Sequence, residues 1–326
     1  MAENNRIRNV AIVGASGRLG KHFAEELLKT GNHTVTALTR SSGTSALPTG
    51  IKVAKVDYED ENDESLVSAL RGQQFLVITL SVHAPPSTQS KIIAAAAKAG
   101  VPYIMPNVYG GDITNESLRK EDLYSAGAWK SCLEIEQLGP AYVAMCCGFW
   151  YEWSLALGEE CFGFDIKNRR ATFYDDGETK INSSTWLQCG RALAGLLSLP
   201  EKAAEPGVAA VAEWSNKLLY VSSFRLSQRD MLDSIHRVTG STDSDWEIKR
   251  EPTKQRYQDG LDEIQKGLRN GFAKALYARG FFPDGSADFE TTRGLTNEVL
   301  GLPTDDLDEA TKRAVEMVES NWNPFG

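Results

Sequence analysis

The chain has 326 residues, 41% apolar and 24% charged, enough to bury one large or two modest cores, and disorder or collagen-like structure is excluded as the main state. A formal net charge of −9 argues against a phosphate-tracking nucleic-acid surface. No apolar run approaches the roughly 20 residues that span a bilayer. The first five residues lead straight into a strand-like segment without the apolar core of a secretory signal, so a cytoplasmic location is expected. The five cysteines, with Cys146 and Cys147 adjacent, read as reduced buried thiols, and His22, His33, His83 and His236 are too scattered for a triad or a metal site.

In chain order, Asn9–Val13 predicts a buried strand, and Leu19, Phe23, Ala24, Leu27 and Leu28 then recur at helical spacing until Gly31. Strands follow at Thr34–Thr39 and Val53–Val56, a helix at Asp63–Leu70 and an unbroken apolar strand at Phe75–Leu80. The pattern continues with a helix at Lys91–Ala99, a strand at Tyr103–Met105, one long helix at Glu121–Leu138 and a strand at Tyr142–Cys147. Such alternation predicts an α/β fold: a doubly wound parallel sheet with ligands along the edge where the strands end. Beyond residue 150 the pattern loosens. Ala171–Tyr174 and Thr179–Ile181 read as a hairpin, Trp186–Leu197 and Gln228–Val238 as helices, Lys217–Val221 as a strand and 252–326 as mostly helix. The expected division is a dinucleotide-binding domain over 1–150 and an α+β substrate lobe over 151–326, with segments of about 183–240 packing back on the first domain.

Gly14-Ala15-Ser16-Gly17-Arg18-Leu19-Gly20 fits G-x-x-G-x-x-G and stands between the first strand and the first helix, the context that gives the motif meaning. Glycine there permits the tight turn, the approach of backbone N–H groups to a pyrophosphate and close helix–strand packing. Arg40 ends the second strand, where a carboxylate would select NAD; an arginine pairs with the 2′-phosphate of NADP(H). Thr39, Ser41 and Ser42 add hydroxyls, and Arg18 offers a second cation. At the following strand ends, Asp57 and Tyr58, then Leu80, Ser81 and Val82, then Pro106 and Asn107, are expected along the cofactor. No tyrosine has lysine four residues on, so a Tyr-x-x-x-Lys mechanism is unsupported.

The glycine motif, Arg40 and Pro106-Asn107-Val108-Tyr109-Gly110 resemble the NmrA-like and isoflavone-reductase-like family of atypical short-chain dehydrogenases; Leu219–Ser223 and Gln228–Gly240 also fit its fungal members. The resemblance covers most of the chain and is tightest before residue 150. It implies a Rossmann domain with a smaller C-terminal substrate lobe and a preference for NADPH. In the reductase branch a Pro-Ser-Glu-Phe-Gly segment precedes a helix whose lysine is the general acid/base. Asn107, Val108 and Tyr109 stand in that segment here, and Lys130 matches the lysine. Partly desolvated beside the cofactor, Lys130 would give a proton or hold the nicotinamide ribose. The resemblance also sets the loop after the sixth strand against the nicotinamide. Gly148, Phe149 and Tyr151 are expected on the cofactor, and Tyr109, Trp150, Tyr151 and Trp153 on a flat, unsaturated substrate.

The expected function is an NADPH-dependent reductase of a small aromatic or conjugated metabolite. A non-catalytic NADP(H) redox sensor acting on a protein partner, and an isomerase or lyase that returns the cofactor unchanged, stay open. So does a homodimer. No nucleic acid or membrane partner is expected.

Overall fold

The computed structural model describes residues 5–41, 43, 46–58, 62–81 and 84–323. Ser42, Val82 and His83 lie outside them. The first half runs β1 (Asn9–Val13), α1 (Arg18–Lys29), β2 (Thr34–Arg40), β3 (Lys52–Val56), α2 (Glu64–Leu70), β4 (Phe75–Ile78), α3 (Thr88–Ala99), β5 (Tyr103–Met105), β6 (Tyr109–Gly110), α4 (Glu116–Glu121), α5 (Ser125–Leu138) and β7 (Ala141–Cys146). Then follow β8 (Phe149–Trp150), α6 (Tyr151–Ala156), β9 (Phe164–Asp165), β10 (Arg170–Tyr174), β11 (Ile181–Ser184), α7 (Trp186–Ser198), β12 (Lys217–Tyr220), β13 (Phe224–Leu226), α8 (Gln228–Thr239) and β14 (Glu247–Glu251). Helices α9 (Thr253–Gln265), α10 (Asn270–Gly280), α11 (Phe289–Arg293) and α12 (Leu307–Glu319) end the chain.

The main sheet is parallel throughout, in the order β12-β7-β5-β4-β1-β2-β3, with β6 also beside β7. Its central strands are covered on both faces, which is why they read as continuous apolar runs. Phe23 and Leu27 of α1 and Leu193 and Leu197 of α7 cover one face; Leu66, Ile92, Ile93, Cys132 and Ile135 cover the other. The order reverses at β1, so the crevice lies beyond its C-terminal end. Arg6, before β1, bridges Pro200, after α7, so α7 runs antiparallel to the strands and its N-terminus stands at the ligand edge. All five cysteines are buried.

The helix expected over 121–138 starts only at Ser125, because α4 ends at Glu121 and the chain turns between them. Asp122 turns the chain: its carboxylate accepts from the backbone N–H groups of Tyr124 and Ser125 and from the Ser125 hydroxyl, and Leu123 takes a left-handed φ of +62°. The expected 171–181 hairpin does not form either. β10 pairs with β9 and β14, whereas β11 pairs with β8 and β13. β11 is buried throughout and β10 from Ala171 on, and each buries its apolar faces only by pairing with more distant segments.

The smaller lobe has its own aromatic core of Tyr151, Phe162, Phe164, Tyr174, Tyr277 and Phe281, joined by Met231 and Leu232 of α8. Arg279 locks this lobe to the first half. It is fully buried and pairs with Glu121 at 2.6 Å and with Asp284 at 3.1 Å. Arg279→Ala should cost about 3 kcal/mol, from lost packing of the buried stem and from the broken ion pairs. Calorimetric unfolding checks this; a loss below about 1 kcal/mol would show that the lock carries little.

Candidate dinucleotide site

At the loop after β1, Gly14 has φ +81°, and a Cβ on it would stand 1.9 Å from the Thr79 carbonyl oxygen. A Cβ on Gly20 would stand 2.2 Å from the Gly14 carbonyl oxygen. These two glycines let α1 and the end of β4 close on β1, and the Thr79 hydroxyl seals the junction by donating to Val13 O at 2.7 Å. Gly17 differs. A Cβ there meets nothing nearer than Gly14 O at 3.2 Å, so its outer side is open. Ala15 and Leu19 are buried, while Ser16 and Gly17 are exposed. Gly17 is also the N-cap of α1; no side chain caps the helix and its first turn holds no acid. Amides without side-chain acceptors at a positive helix end suit an anion, so the loop fits a dinucleotide pyrophosphate.

Arg40 ends β2 with its side chain exposed, and its carbonyl accepts from Gly43 N at 2.8 Å. Ser41 is exposed beside it. Asp57 is exposed at the end of β3, where its N–H bonds Ser65. Tyr58 turns inward; its hydroxyl donates to Leu38 O at 3.0 Å, and burial pushes its pKa up to about 12. That proton is already committed. Arg18 is drawn toward Trp153 of α6, which follows β7, on the opposite side of β1 from β2.

Asn107 ties the next two strand ends together. Its Oδ1 accepts from Leu80 N at 3.1 Å, and its own N–H donates to Gln89, which bonds Ser131 of α5. Ser81 is exposed and Pro106 buried on either side of this bridge. Tyr109 is not free for substrate: its ring packs on Phe23 and its hydroxyl donates to Ile78 O at 2.9 Å. Lys130 is exposed on α5 and has no hydrogen bond or ion pair among the described residues. Ala128 and Cys132 face the core, and at about 100° per residue Lys130 lies about 200° from each, on the face turned away from the sheet. The hydroxyl that does stand here is that of Tyr124, the N-cap residue of α5, which accepts from Tyr109 N at 2.9 Å. Burial holds its pKa well above the usual value, so it keeps its proton.

The 148–153 loop divides by strand alternation. Gly148 has φ +66° and lets β8 run against β11; a Cβ would stand 2.0 Å from Asn182 O. Phe149 turns into the lobe core, stacked on Tyr277 at 4.2 Å. Tyr151 is fully buried there, its hydroxyl 2.7 Å from Thr311 Oγ1. Both were expected on the cofactor and Tyr151 on substrate as well; the lobe core takes them instead. Trp150 and Trp153 face the other way and meet Trp186 at the N-terminus of α7, with ring centroids 6.3–6.5 Å apart. The indole N–H groups of Trp150 and Trp186 are buried without an acceptor among the described residues. Sequence reading missed Thr79, Tyr124 and Trp186; only Trp186, an aromatic opening a helix at a strand end, carries a local signal. A cavity of about 540 Å³ lined by Glu159, Arg256, Glu263 and Lys274 lies in the lobe, away from the glycine loop.

Residues 7–148 match the model of the NmrA-like family. The chain is 28% identical over 309 residues to "Oxidoreductase aprR" of Aspergillus flavus, covering 92% of this chain and 96% of the relative. It superposes on a crystal structure of isoflavone reductase at 20% identity with a TM-score of 0.72, covering 94% of this chain and 99% of the other. It superposes on "QOR2 complexed with NADPH" from Escherichia coli at 20% identity with a TM-score of 0.65, again covering 94% and 99%. These superpositions show that nearly the whole chain shares its overall fold with those two proteins. No helix among the described residues is long and apolar enough to cross a membrane.

Proposed function

We propose that this protein is an NADPH-dependent oxidoreductase acting on a small aromatic or conjugated substrate. The carrying observation is the uncapped N-terminus of α1 behind an open Gly17, at the reversal point of a parallel sheet whose next strand ends in Arg40. The amides of the glycine loop would hold the pyrophosphate and Arg40 the 2′-phosphate. The named oxidoreductase relative and the NADPH-bound neighbour support this reading. NADPH, when bound, supplies the hydride. The chain supplies position: Asn107 fixes the ends of β4 and β5, and Tyr124, kept protonated by burial, is the hydroxyl that would donate to oxygen as charge develops on it. Trp150 and Trp153 give a flat substrate an aromatic wall. NADPH oxidation with a panel of quinones and enones tests the reading. Tyr124→Phe should lower turnover about a hundredfold with KM for NADPH unchanged; unchanged turnover removes Tyr124 from the chemistry.

The exposed Lys130 favours a second reading, a sensor that binds NADP(H) without turnover. It predicts unequal affinities for oxidised and reduced cofactor and no consumption with any substrate.

A further inference from the structure

Arg18 is the charged side chain of the glycine loop, and two distant parts of the chain converge on it. Its guanidinium carbon lies 4.9 Å from the ring centroid of Trp153 on α6 and 4.8 Å from that of Trp322, which follows α12. One terminal nitrogen donates to the Asn323 carbonyl at 3.2 Å. The two indoles meet edge to face with centroids 5.3 Å apart. Burial between them presses the Arg18 pKa downward, although an arginine stays charged. Aromatic rings attract a guanidinium through its face, whereas its N–H donors lie in its plane and point outward. Two rings therefore hold the cation and leave edge donors for an oxyanion. An arginine waving in solvent must be ordered when it meets an anion; one already clamped has lost most of that freedom beforehand.

We propose that Trp322 and Trp153 are positioning residues which hold the Arg18 guanidinium at the open glycine loop so that its edge meets the diphosphate of the dinucleotide. The inference rests on the dinucleotide reading above and adds the C-terminal segment to the site. Because Arg18 leans to the α6 side and Arg40 ends β2, the two cations serve different phosphates: Arg40 the one peculiar to NADPH, Arg18 the diphosphate common to NADPH and NADH.

Calorimetric titration of the full chain with NADPH and with NADH tests this in the wild type, W322A, W322F, R18A and the R18A/W322A double variant. W322A should bind both dinucleotides about tenfold more weakly. W322F keeps an aromatic face and should recover most of the loss. In the R18A background W322A should cost nothing further. Without nucleotide, R18A should red-shift the indole emission, and the shift should shrink when W322F is already present. A W322A affinity within twofold of wild type, an equal loss in both backgrounds, a loss confined to NADPH, or an emission spectrum indifferent to R18A each overturns the clamp. Wild-type protein that binds neither dinucleotide overturns the dinucleotide reading itself and the inference with it; wild type that binds while W322A matches it overturns the inference alone.

Discussion

Arg40→Glu is expected to weaken NADPH binding by about 2 kcal/mol or more, roughly thirtyfold, while leaving NADH nearly unchanged. The side chain is exposed at the end of β2 and makes no hydrogen bond or ion pair through its guanidinium among the described residues, so its loss should not disturb the fold. Its backbone is fixed separately, by the Gly43 N–H and by Lys55 Nζ, both donating to the Arg40 carbonyl. Replacing the cation by a carboxylate exchanges a charge-assisted pair for repulsion against a dianion. Titration with both dinucleotides measures it. Equal weakening of NADH would show that Arg40 does not read the 2′-phosphate.

Gly17→Val and Gly14→Ala should fail in opposite ways. A Cβ at Gly14 would collide with the backbone oxygen of Thr79 at 1.9 Å and sit on a left-handed φ. We expect Gly14→Ala to cost about 3 kcal/mol or more of stability, seen as a large drop in Tm. At Gly17 the backbone is extended, φ −72° and ψ 167°, and the added carbon presses only on Gly14 O at 3.2 Å. Gly17→Val should keep a Tm within a few degrees of wild type and abolish dinucleotide binding, because its branched side chain fills the side from which a diphosphate approaches. Normal NADPH affinity in a folded Gly17→Val protein would remove the loop from the site.

The sheet was legible in the sequence because its central strands are covered on both faces and its helices show one apolar stripe; β1, β5 and the first helix come out within a residue or so. The turn at 122–124 was not, because Asp122 breaks the helix through side-chain-to-backbone bonds that leave apolar spacing intact on both sides. The small sheets failed for another reason: β10 and β11 are close in sequence, yet their partners lie far away, which local pattern cannot foresee. Within the site, the glycines and the position of Arg40 were readable from spacing. The directions of side chains were not. Lys130 falls on the outer face of α5, and Tyr151 is claimed by Thr311, a residue 160 positions later. The roles of Tyr124 and Trp322 likewise depend on tertiary placement.

The seating of β12 beside β7 bears on how this gene could be cut. The backbone of Lys217–Tyr220 completes the hydrogen-bonding of Val143–Cys146, and α7 roofs one side of the same strands. A fragment stopped near residue 150 would keep the whole family-matched stretch but bare a raw strand margin and a greasy flank, the recipe for clumping on expression. Evolution could therefore exchange the small lobe's loops far more readily than it could detach the first 150 residues as a portable cassette.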